Sequence, residues 1–599
     1  MNEVSVVVSI MFLKQTPVLW NAAKCVRVSS WWRILALSVV CCGVASCASS
    51  SGGGQNIFTA NRSSELPEYG DYLSARYAGL VRDGRAATVY YSQALKHSPE
   101  DHSLLERAII YALVAGDTEL AIKLAKKSDI EPKGGMVEII RAVDKFSRGK
   151  YKATVGFSDD LSAGVMHNVV ARSIRDWSQL GLREKGKLLP VAHSGAESRL
   201  FRSIRLYSDA LLQLANDQDE HALENFEKAW NLGGRYPVGV DAYARKLAED
   251  GQRDRALEIV DKFYEDIGDN PLLDQLDREL RAGKDIVAPR LSPKEGAAAS
   301  TLGFALAIAA KQGGDIANLY YSIVLLFDPK QDAARLLLAD SMRDANRLDA
   351  ALEQLQKIES NSVYYGAARA REAWVLFDKG DDKAAVALAN AALKTQPGRS
   401  LKMQVGDLYR SLEMYAEAES LFDQVLQSDI SEGYIDWRVL FARAGMRDKL
   451  SRWEDAESDL LAALNYAPNR PEVLNYLGYS WVDRGKNIEQ AFEMIQNASA
   501  QQPDQGYIKD SLGWAYYRLN HYEKAVRHLE EAVELDPADP VINDHLGDAY
   551  WQTGQFKQAG YQWSRVVTYS DDDTLKKSAA EKLKYGLNAQ LTELQIPNQ

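Results

Sequence analysis

Along most of the chain, apolar residues recur every three or four positions in runs of about a dozen, which predicts short amphipathic helices joined by tight turns. A longer period overlies this one. Gly513 and Gly547 lie 34 residues apart, as do Ala525 and Ala559, and Tyr516 and Tyr550. One unit upstream, Gly478, Ala491, Ala498 and Pro503 keep the same order, with one residue inserted near Asn487. The unit that starts at Gly506 reads Leu512-Gly513, Tyr516, Ala525, Leu529, Ala532 and Pro537.

Each mark has a physical reason. A glycine and an alanine on successive helices allow their backbones to cross closely, and a larger side chain there would force them apart. Leu512, Tyr516 and Leu529 fill the space beside the crossing, Ala532 admits the next unit, and Pro537 ends the second helix. This pattern resembles the tetratricopeptide repeat (TPR), a helix–turn–helix unit of about 34 residues. Weaker copies carry Ala87 with Ala94, Ala121, Ala222 with Ala229, Ala256, Ala317, Ala351, Ala385 with Ala392, Ala418, and Ala456 with Ala463. The predicted fold is therefore all-α, an α-solenoid or superhelix of stacked TPR helix-turn-helix repeats over residues 65–575.

Two stretches break the rhythm. Residues 154–200 hold Gly156, Gly164, Gly181, Gly186 and Pro190 around two short helical runs with poor repeat marks. Residues 282–299 carry Pro289 and Pro293 without an amphipathic period, and are read as a joint between a 65–281 array and a 300–573 array. Residues 574–599 are expected to form a capping helix and tail, with Leu575, Leu583 and Leu587 on one face.

The amino terminus has a different character. All four cysteines, Cys25, Cys41, Cys42 and Cys47, fall there, so the repeat body can hold neither a disulfide nor a thiolate metal site. Lys24, Arg27 and Arg33 precede a short apolar run, Ile34 to Val44, which has the form of a secretory signal and is too short to span a bilayer as a helix. The run ends Val44-Ala45-Ser46-Cys47, which resembles the lipobox of bacterial lipoproteins. That resemblance implies cleavage after residue 46 and a diacylglycerol or acyl lipid on Cys47; Ala48, not being Asp, implies the outer membrane. Residues 1–23 exceed an ordinary n-region, so translation is expected to start at or after Met11. Residues 47–64, rich in Ser and Gly, then form a lipidated cysteine and flexible tether.

The charge balance argues against nucleic acid. With 71 basic and 83 acidic residues the chain carries −12, whereas a backbone-binding protein needs a basic face. No catalytic arrangement emerges: there is no His-Glu-x-x-His, no phosphate loop and no Gly-x-Ser-x-Gly elbow. Ala192-His193-Ser194-Gly195 lacks a strand–turn–helix setting, and Asp571-Asp572-Asp573 lacks the glycine and glutamate of a calcium loop, so it reads as a solvated helix terminus. The expectation is a non-enzyme with no catalytic residue, metal, cofactor or small-molecule substrate, whose partners are proteins or peptides. A catalytic element hidden in 154–200 is the least favoured reading.

A TPR array presents the first helix of each unit, helix A, on its concave side. Outward positions there in the last repeats are Asn475, Tyr476, Tyr479, Tyr507, Asp510, Trp514, Tyr517, Arg518, Asp544, His545, Asp548 and Trp551. Aromatics mixed with carboxylates suit an apolar or basic peptide segment. The competing reading makes Trp514 and Trp551 packing residues between neighbouring A helices. Phe441, Asn475, Asp510 and Asp544 stand where chaperone-tail clamps carry Lys and Asn, which argues against capture of an acidic C-terminus.

Leu477-Gly478-Tyr479-Ser480, Asp510-Ser511-Leu512-Gly513-Trp514-Ala515 and the run from Asn543 to Trp551 make the chain similar to TPR lipoproteins of Gram-negative, alphaproteobacterial-type envelopes. The similarity implies a periplasm-facing, membrane-anchored interaction scaffold that supports assembly of outer-membrane proteins, of pilus or secretion machinery, or of polysaccharide export. The alternative is an accessory subunit that presents substrate to a separate peptidoglycan- or polysaccharide-acting enzyme.

Overall fold

The computed structural model describes residues 66–127, 135–157, 165–182 and 198–587, apart from Arg82, Gly313, Gln396, Pro397, Glu432 and Tyr434. Cys47, the signal and tether expected over residues 1–64, and the Ala192–Gly195 motif lie outside them. The described residues form 28 α-helices and one short 3-10 turn, with no strand among them.

The chain divides into two compact units near Leu408. In the first, the helices are α1 (Leu66–Leu80), α2 (Gly84–His97), α3 (His102–Val114), α4 (Thr118–Lys127), α5 (Met136–Ser147), α6 (Val165–Gly181), α7 (Arg199–Ala215), α8 (Asp219–Asn231) and α9 (Pro237–Glu249). They continue as α10 (Arg253–Asp266), α11 (Pro271–Arg281), α12 (Pro293–Gln312), α13 (Gly314–Phe327), α14 (Asp332–Asp344), α15 (Leu348–Gln356), α16 (Tyr365–Asp378), α17 (Asp382–Thr395) and α18 (Arg399–Ser411). The second unit holds α19 (Tyr415–Ser431), α20 (Trp437–Lys449), α21 (Trp453–Tyr466), α22 (Pro471–Asp483), α23 (Ile488–Gln501), α24 (Gly506–Arg518), α25 (Tyr522–Leu535), α26 (Pro540–Gln552), α27 (Phe556–Tyr569) and α28 (Asp573–Tyr585).

The repeat marks do what their spacing demands. The marker alanines, from Ala87 through Ala256, Ala385 and Ala525 to Ala559, are all buried. A Cβ on Gly513 would stand 2.6 Å from Leu529 Cγ, and one on Gly547 would stand 2.6 Å from Trp563 Cδ1. The turn between helices A and B is equally regular. Gly116, Asp217, Gly251, Asn346, Gly380, Glu413, Ser451, Gly485, Asn520 and Gly554 each take a positive φ in that turn. The left-handed residue reverses the chain in three or four residues and favours Gly or Asn.

Three expectations change. Residues 282–299 are not one loop: the chain is irregular only up to Ser292, and α12 begins at Pro293. Ser292-Pro293-Lys294-Glu295 is a capping box in which the Ser292 amide donates to Glu295 Oε2 at 2.9 Å, with proline at the first helical position. Pro293 thus starts a helix rather than breaking one. The unit boundary also falls near residue 408 rather than here, because α12 packs on α6 and α7. Gly296 lies under the Trp177 ring, and Trp177 Nε1 donates to Ser300 Oγ at 3.2 Å, so the irregular 154–200 region contributes core through α6. Finally, Leu583 on the cap helix is exposed, while Leu575 and Leu587 pack inward.

The first unit is also not a simple row of neighbours. Helix α13 packs on α3, α4 and α5. Ser322 Oγ donates to the Leu113 carbonyl at 2.6 Å, Phe146 and Phe327 meet edge to face at 5.4 Å, and a Cβ on Gly116 would lie 2.8 Å from Met342 Cε. Repeats far apart in sequence therefore share one core.

Phe327→Ala should cost about 3–5 kcal/mol, the usual loss for a buried aromatic. Hydrogen exchange resolved by peptide should show protection falling in residues 102–147 as well as 314–345. A loss restricted to 314–345 would mean the two segments fold independently. Ser451→Gly should act in the opposite direction, because exposed Ser451 sits at φ 60°. Relief of the left-handed penalty should raise the unfolding free energy, read from urea melts, by about 1 kcal/mol.

Candidate functional site

In the second unit, α22, α24 and α26 lie side by side as successive A helices, and Lys582 ties the cap α28 to α26. Corresponding side chains on neighbours are joined laterally at spacings close to the repeat. Arg484 Nη2 donates to Asp448 Oδ1 at 2.8 Å across 36 residues, and Arg518 Nη1 donates to the Asp483 carbonyl at 3.0 Å across 35. Tyr476 OH donates to Asp448 Oδ2 at 2.7 Å, and burial followed by the Asp448 charge holds its phenol well above the usual range.

The carboxylates of the face are consumed by this lattice. Asp510 and His545 are both buried, with His545 Nδ1 2.9 and 3.0 Å from the two Asp510 oxygens. Burial alone would disfavour the imidazolium; the Asp510 charge and hydrogen bond, then Asp544 and Asp548, outweigh it and raise the His545 pKa above the ordinary histidine value. Asp544 and Asp548 share Lys582 of the cap at 2.8 and 2.9 Å, and Asp548 Oδ1 accepts from Trp563 Nε1 at 3.0 Å. Burial, then the neighbouring Asp544 charge, pushes Asp548 up. Burial opposes the Lys582 charge, but the two carboxylates overcome it and raise that pKa. Lys582 is not among the residues expected from the sequence, although it stands 34 residues after Asp548, one repeat along the same row.

The aromatics divide into two groups. Trp514 is half-buried between Tyr517, stacked at 4.7 Å, and His545, stacked at 4.0 Å; Tyr479 lies 6.5 Å from the same imidazole. Trp551 packs on Phe556 and Trp563, and Gly586 fits against its ring only because it has no Cβ. Trp551 therefore belongs to the terminal core, away from an open groove, since the cap covers it. Of the twelve candidates Arg518 alone is exposed; Tyr476, Tyr479, Tyr507, Trp514, Tyr517 and Trp551 are half-buried, and Asn475, Asp510, Asp544, His545 and Asp548 are buried. Four atoms among them are buried without a hydrogen-bond partner: Asn475 Oδ1, Tyr507 OH, Trp514 Nε1 and Asp544 Oδ1.

The comparisons with known proteins bear on this same segment. Residues 513–554 match the TPR repeat family. That stretch of the second unit is TPR-like. Over 192 residues the chain is 26% identical to the TPR repeat-containing protein PA4667 of Pseudomonas aeruginosa, a match covering 32% of each chain. The chain thus spans about a third of that curated relative's length. Among solved structures it is similar to the Cut9–Hcn1 hetero-tetramer of APC/C, at 14% identity and TM-score 0.39, over 87% of this chain and 96% of that one. It is also similar to the thermophilic TPR protein TTC0263 of Thermus thermophilus, at 21% identity and TM-score 0.28, over 31% of this chain and all of that one. The matched family is a repeat family and carries no catalytic residues to transfer.

In the first unit a small open cleft is lined by Leu302, Leu306, Leu336, Tyr364, Arg371 and Gln404, among others. Its cations are already paired: Arg371 with Asp340 at 2.9 Å and Arg399, nearby, with Asp269. Among the described residues no group of three His, Cys, Asp or Glu side chains is placed to hold a metal, and no helix is long and apolar enough to cross a membrane.

The buried Asp510–His545 pair makes a pH prediction with a definite sign. A histidine whose folded pKa exceeds its unfolded value, about 6.5, contributes stability that is complete below pH 6.5 and is lost as pH rises through the folded value. The stability difference between wild type and His545→Gln should therefore shrink from pH 6 toward pH 9. Urea melts across that range check it; a difference independent of pH would show that the imidazole stays neutral.

Proposed function

We propose that the chain is an envelope lipoprotein, anchored through Cys47, that binds an extended protein segment across the α22–α24–α26 face and so serves as a scaffold for envelope machinery. The observation that carries the binding reading is the set of four unpartnered buried atoms. Tyr507 OH and Trp514 Nε1 are donors; Asn475 Oδ1 and Asp544 Oδ1 are acceptors. An unpaired buried polar group costs about 1–3 kcal/mol; each of these atoms is sealed from solvent, so a peptide backbone, which alternates donors and acceptors, recovers that cost on docking only as the side chains over the atom turn aside. Because Asp510, Asp544 and Asp548 are already paired with His545 and Lys582, the face suits apolar side chains and neutral backbone better than a basic segment. The repeat match over 513–554 supports protein binding as the general role. The lipobox supports the address.

Two variants separate recognition from packing. Tyr507→Phe with Trp514→Phe keeps an aromatic ring at each position but removes both unpartnered donors. Partner capture, scored against proteins cross-linked to the native chain, should fall about tenfold with the protein still fully folded at the assay temperature, any loss of melting temperature tracing to the Trp514 stack alone and shared by Trp514→Phe by itself. Unchanged capture would end the assignment. For the anchor, Cys47→Ala should abolish fatty-acid labelling and release most of the protein to the soluble periplasmic fraction, leaving only weak, reversible lipid contact, because stable anchoring needs more than one acyl chain and each buried methylene contributes about 0.8 kcal/mol. Fractionation with fatty-acid labelling decides it: an unlabelled wild type that stays with the membrane refutes the lipobox.

A further inference from the structure

The first helix of the repeat body has two apolar faces. Ala75 and Ala78 are buried against the core. On the other side Tyr69, Leu73, Tyr77 and Leu80 form a stripe along the helix, and these four side chains are between 62% and 79% exposed, with Val81 continuing it. Large apolar residues that bare are scattered elsewhere in the chain; here they line one face at helical spacing. The described side chains on this stripe include one ion, the exposed Arg76, and no carboxylate. Asp71 lies off the stripe, half-buried, with its carboxylate 3.9 Å from His97.

We infer that this face of α1 lies on a lipid surface. The inference rests on the lipoprotein reading for its geometry but makes its own physical claim. Residues 48–65 separate Cys47 from α1, and a stretch of that length can reach at most about 60 Å. Helix α1 is therefore the first described helix to meet the bilayer. Tyrosine is favoured where one end of a side chain is apolar and the other wet, and a cation such as Arg76 among apolar neighbours suits anionic headgroups. The stripe from Tyr69 to Leu80 runs about 17 Å, enough for a shallow interfacial contact and too short to cross. Among its described side chains this face holds no carboxylate, which favours lipid over a second protein surface, for which Arg76 is the one described charge to pair.

The test uses the full chain carrying Cys47→Ala, so that no acyl group contributes, and flotation with vesicles of phosphatidylethanolamine and phosphatidylglycerol. The expected result is a floating fraction that falls at least about fivefold in Leu73→Glu with Tyr77→Glu, with circular dichroism and melting unchanged because both positions are exposed. Arg76→Gln should weaken flotation on anionic vesicles and leave it unchanged on neutral ones. A Cys47→Ala chain that does not float overturns the inference. So does a dimer, seen by light scattering, that the double variant splits, since a second copy would then cover the stripe. Fatty-acid labelling of the wild type reads the lipoprotein claim separately: flotation without labelling removes the anchor and leaves the lipid-facing stripe standing.

Discussion

The close crossing of helix A on helix B is the constraint from which the rest of the molecule follows. Gly513 against Leu529 and Gly547 against Trp563 leave no space for even a methyl group. Backbones this close fix the crossing, the crossing fixes where the next A helix docks, and that in turn aligns equivalent positions of successive A helices. Only then can residues about 34 apart become lateral partners, as Asp548 and Lys582 do. The polar rows on the A helices are thus a product of apolar packing on their opposite sides.

The same geometry explains why the candidate face is mostly internal. A row of carboxylates placed at repeat spacing would repel itself across neighbours, so each needs a lateral cation or a hydrogen bond. His545 and Lys582 fill that role for Asp510, Asp544 and Asp548, and Trp514 stacks over the imidazole. The face that remains is aromatic and amide-like, with a few donors and acceptors unmatched.

The legible parts of the fold are those set by short-range rules. The alanine and glycine marks give the repeat and its helix pairs, because close approach admits few residue types. Pro293 misleads because proline both ends helices and starts them, and Glu295 two residues later, which closes the capping box, decides between the two. The packing of α13 on α3 leaves no local trace: Ser322 and Leu113 are 209 residues apart and neither is unusual in its own repeat. At the candidate site, the A-helix rows are readable from spacing, but the burial of Asp510 and His545 depends on a partner one repeat away. Trp551 looks like an open aromatic because Gly586, which permits the cap to cover it, lies beyond the last repeat mark.

The contact between Ser322 and Leu113 also sets an order of events during synthesis. Closing a loop of that length is entropically slower than stacking adjacent repeats, and α3 to α5 cannot complete their core until α13 has emerged. The amino-terminal repeats must therefore wait, with Phe146 and the underside of Gly116 uncovered, while some two hundred further residues are made. The second unit, whose helices pair with sequence neighbours, has no such delay. A nascent chain of this kind is vulnerable at its beginning and secure at its end, the reverse of what vectorial folding gives a linear array.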